Sequence, residues 1–163
     1  MAKAASEKTN VMRLPEQKKI PYTPHSYPHA DGPVDGLTVA GMIGVDPARV
    51  FKTLVARGAS RTVFVFVIPV AQELDLKKAA KAVGEKSIAM IHVNEITGLT
   101  GYVRGGCSPV GMKKLYRTVF DAQSQQVETL LVSAGKIGYQ VEVAPDALIA
   151  LVRGTVADLT VDA

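Results

Sequence analysis

The ten residues Gly105-Gly106-Cys107-Ser108-Pro109-Val110-Gly111-Met112-Lys113-Lys114 hold the densest set of groups suited to chemistry in this chain of 163 residues. Two adjacent glycines remove the β-carbons from one turn, so a ligand can approach the backbone closely. Their amides can then point at a carbonyl or phosphate oxygen. Pro109 fixes the exit direction and supplies no donor. The following lysine pair would attract an anionic substrate. Taken alone the segment also fits a plain loop, because Gly and Pro chiefly punctuate structure. A nucleophilic Cys107 would need a base beside its thiol, and none of the three histidines is clearly placed for that. Ser108 has no Gly-x-Ser-x-Gly context and no visible triad, which leaves it the turn-bonding role common for serine.

Lys52 stands in the apolar run Phe51-Lys52-Thr53-Leu54-Val55. A lysine in such a run is rarely buried without a partner. It either points to the solvent face of an amphipathic strand or lines a pocket and receives a phosphate or carboxylate. Further along, Pro69 to Lys78 joins a strand to a helix, and Val132-Ser133-Ala134-Gly135-Lys136-Ile137-Gly138 forms a second glycine-rich turn.

The order and spacing of these segments resemble the YbaK/EbsC family of aminoacyl-tRNA deacylases, which is related to the editing domain of bacterial prolyl-tRNA synthetases. The resemblance runs from about Thr9 to about Leu159. It implies hydrolysis of the ester that joins a wrong amino acid to the terminal ribose of tRNA. In the YbaK branch the preferred substrate is Cys-tRNA(Pro), cleaved in trans. There the substrate's own thiol attacks its carbonyl, so release of a thiolactone, a lyase-type step, accompanies the hydrolase assignment. No metal or organic cofactor is implied. The 3′ end of aminoacyl-tRNA is the implied partner, with prolyl-tRNA synthetase a second one.

The same resemblance assigns residues. The Lys-Thr pair of the family falls on Lys52 and Thr53, and its lysine is needed for activity. The Gly-x-x-x-Pro loop runs from Gly105 through Gly106 and Ser108 to Pro109, with the Gly105 amide facing the substrate carbonyl. Ser133, Gly135 and Lys136 match a Ser-Gly-Gly-Lys turn in which Ala134 replaces the first glycine. Tyr27 matches a pocket tyrosine. Gln140 departs from the family pattern Gly-x-Asp-x-Glu, which leaves the amino-acid specificity open. Two alternatives follow: a deacylase for another mischarged tRNA such as Ala-tRNA(Pro), or a non-catalytic nucleotide-binding module. The second is disfavoured by scarce stacking residues, four Phe, five Tyr and no Trp.

Elements must position these groups. The length suits one domain, and 47% apolar content suits a folded core of Val, Leu, Ile and Ala, since aromatic content is 6%. Nineteen basic against fifteen acidic residues give +4, compatible with a nucleic-acid partner without requiring one. One cysteine excludes an internal disulfide, and without a signal-like apolar stretch the chain reads as cytoplasmic. The run Thr62 to Ala71 is too short to span a bilayer. His25 and His29 follow Pro24 and Pro28 and cannot share a helix face, so no metal site is expected.

Residues 1–8 read as a flexible N-terminus and 9–163 as the domain. Helices are expected at Thr9 to Lys19, Leu37 to Ile43, Leu76 to Val83 and Pro145 to Leu151, with a capped turn at Asp46 to Arg49. Proline confines Ile20 to Tyr27 to a sheet edge. Asp31-Gly32-Pro33 reads as a turn. Strands are expected at Val50 to Ala56, Thr62 to Ile68, Ser87 to Ile91, Arg117 to Phe120, Thr129 to Ser133, Tyr139 to Val143 and Val156 to Val161. With hairpins beside crossovers, the fold class is α+β: a single domain with a mixed, partly closed β-sheet flanked by helices.

Overall fold

The computed structural model describes residues 10–28, 35–103 and 106–162 of the chain. In order they form α1 (Asn10–Gln17), β1 (Tyr22–Ser26), α2 (Gly36–Ile43), β2 (Phe51–Gly58), β3 (Val63–Pro69), α3 (Leu76–Val83), β4 (Ile88–Met90) and α4 (Ile96–Thr100). Then come β5 (Arg117–Asp121), β6 (Leu130–Ser133), β7 (Tyr139–Val143), α5 (Pro145–Leu151) and β8 (Thr155–Ala157). The flexible N-terminus and the Asp31-Gly32-Pro33 turn expected from sequence lie outside the described residues.

Local chemistry explains the boundaries. Asp35 accepts from the Thr38 amide at 3.0 Å to start α2, and Gly44 ends it at φ 85°. Asp75 accepts from the Lys77 and Lys78 amides at 2.9 and 3.1 Å to start α3, and Gly84 ends it at φ 74°. A side-chain cap satisfies amides that have no partner inside the helix, and glycine takes the left-handed closing conformation without a β-carbon clash. Asp46 caps the single turn Pro47–Arg49 in the same way. The first helix is shorter than expected, with Pro15 inside it, where it supplies no amide to the helix ladder. A turn at Ala122–Gln126, capped by Asp121, went unanticipated. The last expected strand divides into β8 and a bridge of Thr160 to Leu74.

The strands make two sheets. One is antiparallel in the order β1-β7-β6, with the proline-bearing β1 at its edge, and the other is mixed in the order β4-β2-β3-β5-β8. A parallel bridge between Val50 and Leu131 links them, which is the partial closure expected. Side chains alternate along a strand, and the two sides of the joined sheets bury different clusters. Phe51, Val65, Val67, Phe120, Val132 and Val141 pack with Val11 of α1 and Leu148 of α5. Ala56, Phe64, Phe66 and Ile68 pack with Ala79, Ala80 and Val83 of α3. β3 serves both clusters, which is why it reads as nearly continuous apolar sequence.

Candidate active site

The strand register assembles a polar row. Val50 and Leu131 pack together with Ala40 of α2. Two residues further along the two chains, Lys52 and Ser133 share the face of Val50 and Leu131, by the alternation of a strand. Ser133 pairs with Gln140, and Gln140 pairs with His25. Paired residues project side by side at about 5 Å. Lys52, Ser133, Gln140 and His25 therefore lie in one row on the α2 side, while the other side of β6 and β7 is apolar core.

Burial within the row is uneven. Ser133 and Gln140 are 8% and 7% exposed, and Lys52 is half-buried. Burial pushes the Lys52 ammonium below the ordinary lysine value, and the Glu73 carboxylate opposes that shift. The Oε1 oxygen of Gln140 is buried and has no hydrogen-bond partner among the described residues. Leaving a buried acceptor unpaired costs about 1–3 kcal/mol. A donor on a bound molecule would recover that energy. Thr53 does not join the row: it pairs with Val67 on the opposite face, and its buried Oγ1 is likewise unpartnered among the described residues.

Two glycine turns meet beside the row. A β-carbon on Gly106 would stand 3.2 Å from the Ile137 nitrogen and 3.3 Å from the Lys136 Cα. Only a residue without a side chain sits comfortably there. Gly135 has φ 90°, and a β-carbon on it would stand 2.9 Å from the Tyr102 ring. Its amide donates to Ser133 Oγ at 3.1 Å. The Tyr27 amide donates to the Gly138 carbonyl at 2.9 Å, tying the end of β1 to the same turn, and the Tyr27 side chain is buried. Lys136 Nζ lies 5.2 Å from the centre of the Tyr139 ring, within cation–π range.

The loop of the first motif is internally braced. The Gly106 amide donates to the Val103 carbonyl at 3.0 Å, and the Val110 amide to Ser108 Oγ at 3.3 Å. Ser108 is therefore the turn-bonding serine that its sequence context suggests. Tyr102 donates its hydroxyl to the Val110 carbonyl at 2.5 Å, and Ser108, Pro109 and Val110 are buried. Gly105 lies outside the described residues. Burial pushes the Cys107 thiol up to about 11, against a weaker lowering by Thr100. It is protonated near neutrality, the wrong state for a nucleophile.

Sequence reasoning passed over one constellation. Glu142, two residues beyond Gln140 and on the same face, holds His25 Nε2 at 2.8 Å and accepts from Thr129 Oγ1 at 2.5 Å and from Arg49 Nη2. The Thr129 hydrogen bond foremost, then His25 and Arg49, hold its carboxyl below the usual range. The equal parity of Gln140 and Glu142 was visible, but their partners come from distant parts of the chain. Arg49, Thr129 and Glu142 border a groove of about 520 Å³.

Comparison with known proteins places the chain. The aminoacyl-tRNA editing domain profile matches residues 37–151. The Enterococcus faecalis protein EbsC, provisionally named a Cys-tRNA(Pro)/Cys-tRNA(Cys) deacylase, is 44% identical over 158 residues, which are 97% of this chain and 96% of that protein. An uncharacterized Bacillus subtilis protein, YwhH, is 28% identical over 109 residues, 67% of this chain and 69% of YwhH. Two solved structures share the fold. One is a hypothetical protein with TM-score 0.84 and 21% identity, covering 94% of this chain and 100% of that one. The other, described provisionally as a trans-editing enzyme for prolyl tRNA synthetase, has TM-score 0.81 and 23% identity and covers 96% and 100%. With a profile match across most of its length and a 44% identical relative along nearly all of it, this protein belongs to the aminoacyl-tRNA editing domain family.

Proposed function

We propose that this protein is a trans-acting deacylase that cleaves the ester of mischarged Cys-tRNA(Pro). The observation that carries the reading is the row of Lys52, Ser133 and Gln140 beside two packed glycine turns, with the unpaired Gln140 oxygen buried in it. The relationship to EbsC supports the choice of substrate.

In this reading Lys52 holds a phosphate of the tRNA 3′ end, which its partial burial strengthens by excluding water from the ion pair. Gln140 accepts from the substrate's α-amino group. The Gly106 amide is committed to Val103; the resemblance to the family's Gly-x-x-x-Pro loop assigns the Gly105 amide as donor to the ester carbonyl, where one preorganised donor lowers the barrier by about 3 kcal/mol. Tyr27, Ser108 and Pro109 shape the pocket, Ser133, Gly135 and Lys136 form the turn that closes it, and Thr53, on the opposite face of β2, takes no part.

The described residues include no histidine hydrogen-bonded to Cys107, Ser108 or Ser133, and the family resemblance assigns the nucleophile to the substrate. The cysteinyl sulfur bonds to the carbonyl carbon, the carbon–ribose oxygen bond breaks, and the thiol proton passes to the ribose oxygen. The products are a thiolactone and free tRNA. Positioning alone can supply much of such a barrier. Thiol dependence also solves a discrimination problem, since one methylene in a pocket is worth only about 1–3 kcal/mol. We place the enzyme in the cytoplasm, working beside prolyl-tRNA synthetase. In a second reading the substrate is Ala-tRNA(Pro) and bound water is the nucleophile, since alanine carries no thiol; the neutral Gln140, where the family pattern has aspartate, leaves the amino-acid specificity open between the two.

Single-turnover deacylation of Cys-tRNA(Pro) and Ala-tRNA(Pro) by wild type and Lys52→Ala tests the proposal. Loss of the Cys ester alone, abolished in the variant, is expected. Loss of the Ala ester moves the enzyme to the second substrate. Hydrolysis of neither rejects the deacylase.

A further inference from the structure

The described surface carries two grooves of opposite charge, one beside Glu142 and the other against the cluster that holds Val110 and Val152. The larger one, about 520 Å³, is lined by Asp46, Glu128 and Glu142 against the single cation Arg49. The smaller one, about 200 Å³, lies between the end of α1, the segment after Pro109 and the end of α5. Its lining includes Lys18 and Lys114 and no carboxylate. Both lysines are exposed and neither makes an ion pair with a described residue. Arg153, directly after the lining residue Val152, is exposed as well. The floor is apolar, built from Leu14, Val110 and Leu151.

We propose that this smaller groove docks the acceptor stem of tRNA, with Lys18 and Lys114 on backbone phosphates. This rests on the deacylase reading for the identity of the RNA. Charge complementarity selects the occupant: a polyanion is attracted by the carboxylate-free groove and repelled by the other. Continuity with the site selects its position. Pro109 lines the groove and Gly106 touches the second glycine turn, and three residues of chain span at most about 11 Å. An acceptor stem in the groove thus has its single-stranded 3′ end within reach of the loop. The lysines contribute affinity without sequence readout, since phosphate contacts position a nucleic acid and carry no base information.

The test is the affinity of uncharged tRNA(Pro) as a function of salt, for wild type, Lys18→Gln/Lys114→Gln, and the control Lys77→Gln/Lys86→Gln. The control removes equal charge from exposed positions outside the groove. The groove variant is expected to bind about tenfold or more weakly at 0.1 M salt, with the logarithmic salt slope reduced by about 2. The control is expected to match wild type. Equal weakening in both pairs, or none in the groove pair, overturns the proposal. So does unchanged RNA binding with lysine-dependent capture of poly-glutamate, which would make the groove a site for an acidic protein segment. Failure of the deacylase reading is separable: wild type that hydrolyses no charged tRNA yet binds it through these lysines rejects the activity and keeps the surface.

Discussion

Gly106 lies against the backbone of Lys136, so that a β-carbon on the glycine would stand 3.3 Å from the Lys136 Cα. The neighbour is backbone held in a turn, where Tyr139 donates its amide to the Lys136 carbonyl at 3.2 Å, and it cannot rotate aside. Gly106→Ala should therefore separate the two turns and lower deacylation, with a modest loss of stability. Gly135→Ala combines a forbidden conformation, at φ 90°, with a contact 2.9 Å from the Tyr102 ring. Left-handed conformation alone costs a non-glycine residue about 1–3 kcal/mol. Urea midpoints should rank wild type above Gly106→Ala above Gly135→Ala. The reverse order of the two variants would show that the turn adapts more easily than its contacts indicate.

Lys52 separates stability from activity. Its pKa is lowered in the folded protein, chiefly by burial. A lysine depressed on folding binds fewer protons in the native than in the unfolded state, so its contribution makes stability rise with pH. The window lies between the depressed value and the ordinary 10.5. Lys52→Met removes the desolvation cost and should be at least as stable as wild type at pH 8, while deacylation falls by about a hundredfold or more, as for other preorganised charge contacts. Chemical denaturation at pH 8 and pH 10 should show wild type gaining on Lys52→Met at the higher pH. A wild type that gains nothing would mean that Lys52 is fully hydrated.

The elements were legible because their signals are local. Asp75 and Gly84 bracket α3 at the expected residues, and the prolines of β1 put it at a sheet edge. The site was legible mainly as a set of residue types. Lys52 and Thr53 are neighbours in sequence but face opposite sides of β2. Lys52 and Ser133 come together only through the bridge of Val50 to Leu131, whose register no local pattern encodes. The Arg49–Glu142 contact spans 93 residues, which placed it beyond motif reading.

Glu142 should set the acid limit of this end of the site. Its folded pKa is lowered by Thr129, His25 and Arg49. A carboxylate depressed on folding contributes stability that is present above its ordinary value and is lost as pH falls through the folded one. The ordinary value is 4.5, so the loss belongs to the range below it. Glu142→Gln should be less stable than wild type at pH 7 and should lose less on going from pH 5 to pH 3. Thermal unfolding at these three pH values checks the sign. Parallel losses in the two proteins would assign the acid sensitivity to other carboxylates.

Cys107 lies in the loop between Gly106 and Lys114 and yet should be chemically quiet. Burial raises its thiol to about 11, so at pH 7.5 the thiolate, the form that reacts, is a minor species. Iodoacetamide should leave the native protein unlabelled at pH 7.5 on a timescale that labels the urea-unfolded chain completely. Cys107→Ala should keep deacylation within about threefold of wild type, because the variant removes a small apolar filler and no reacting group. Alkylation of unfolded protein alone, together with an active alanine variant, would leave the substrate's sulfur as the only thiol in the reaction. A folded but inactive Cys107→Ala would instead place the protein's own sulfur on the reaction path and require a base that the loop does not supply among the described residues.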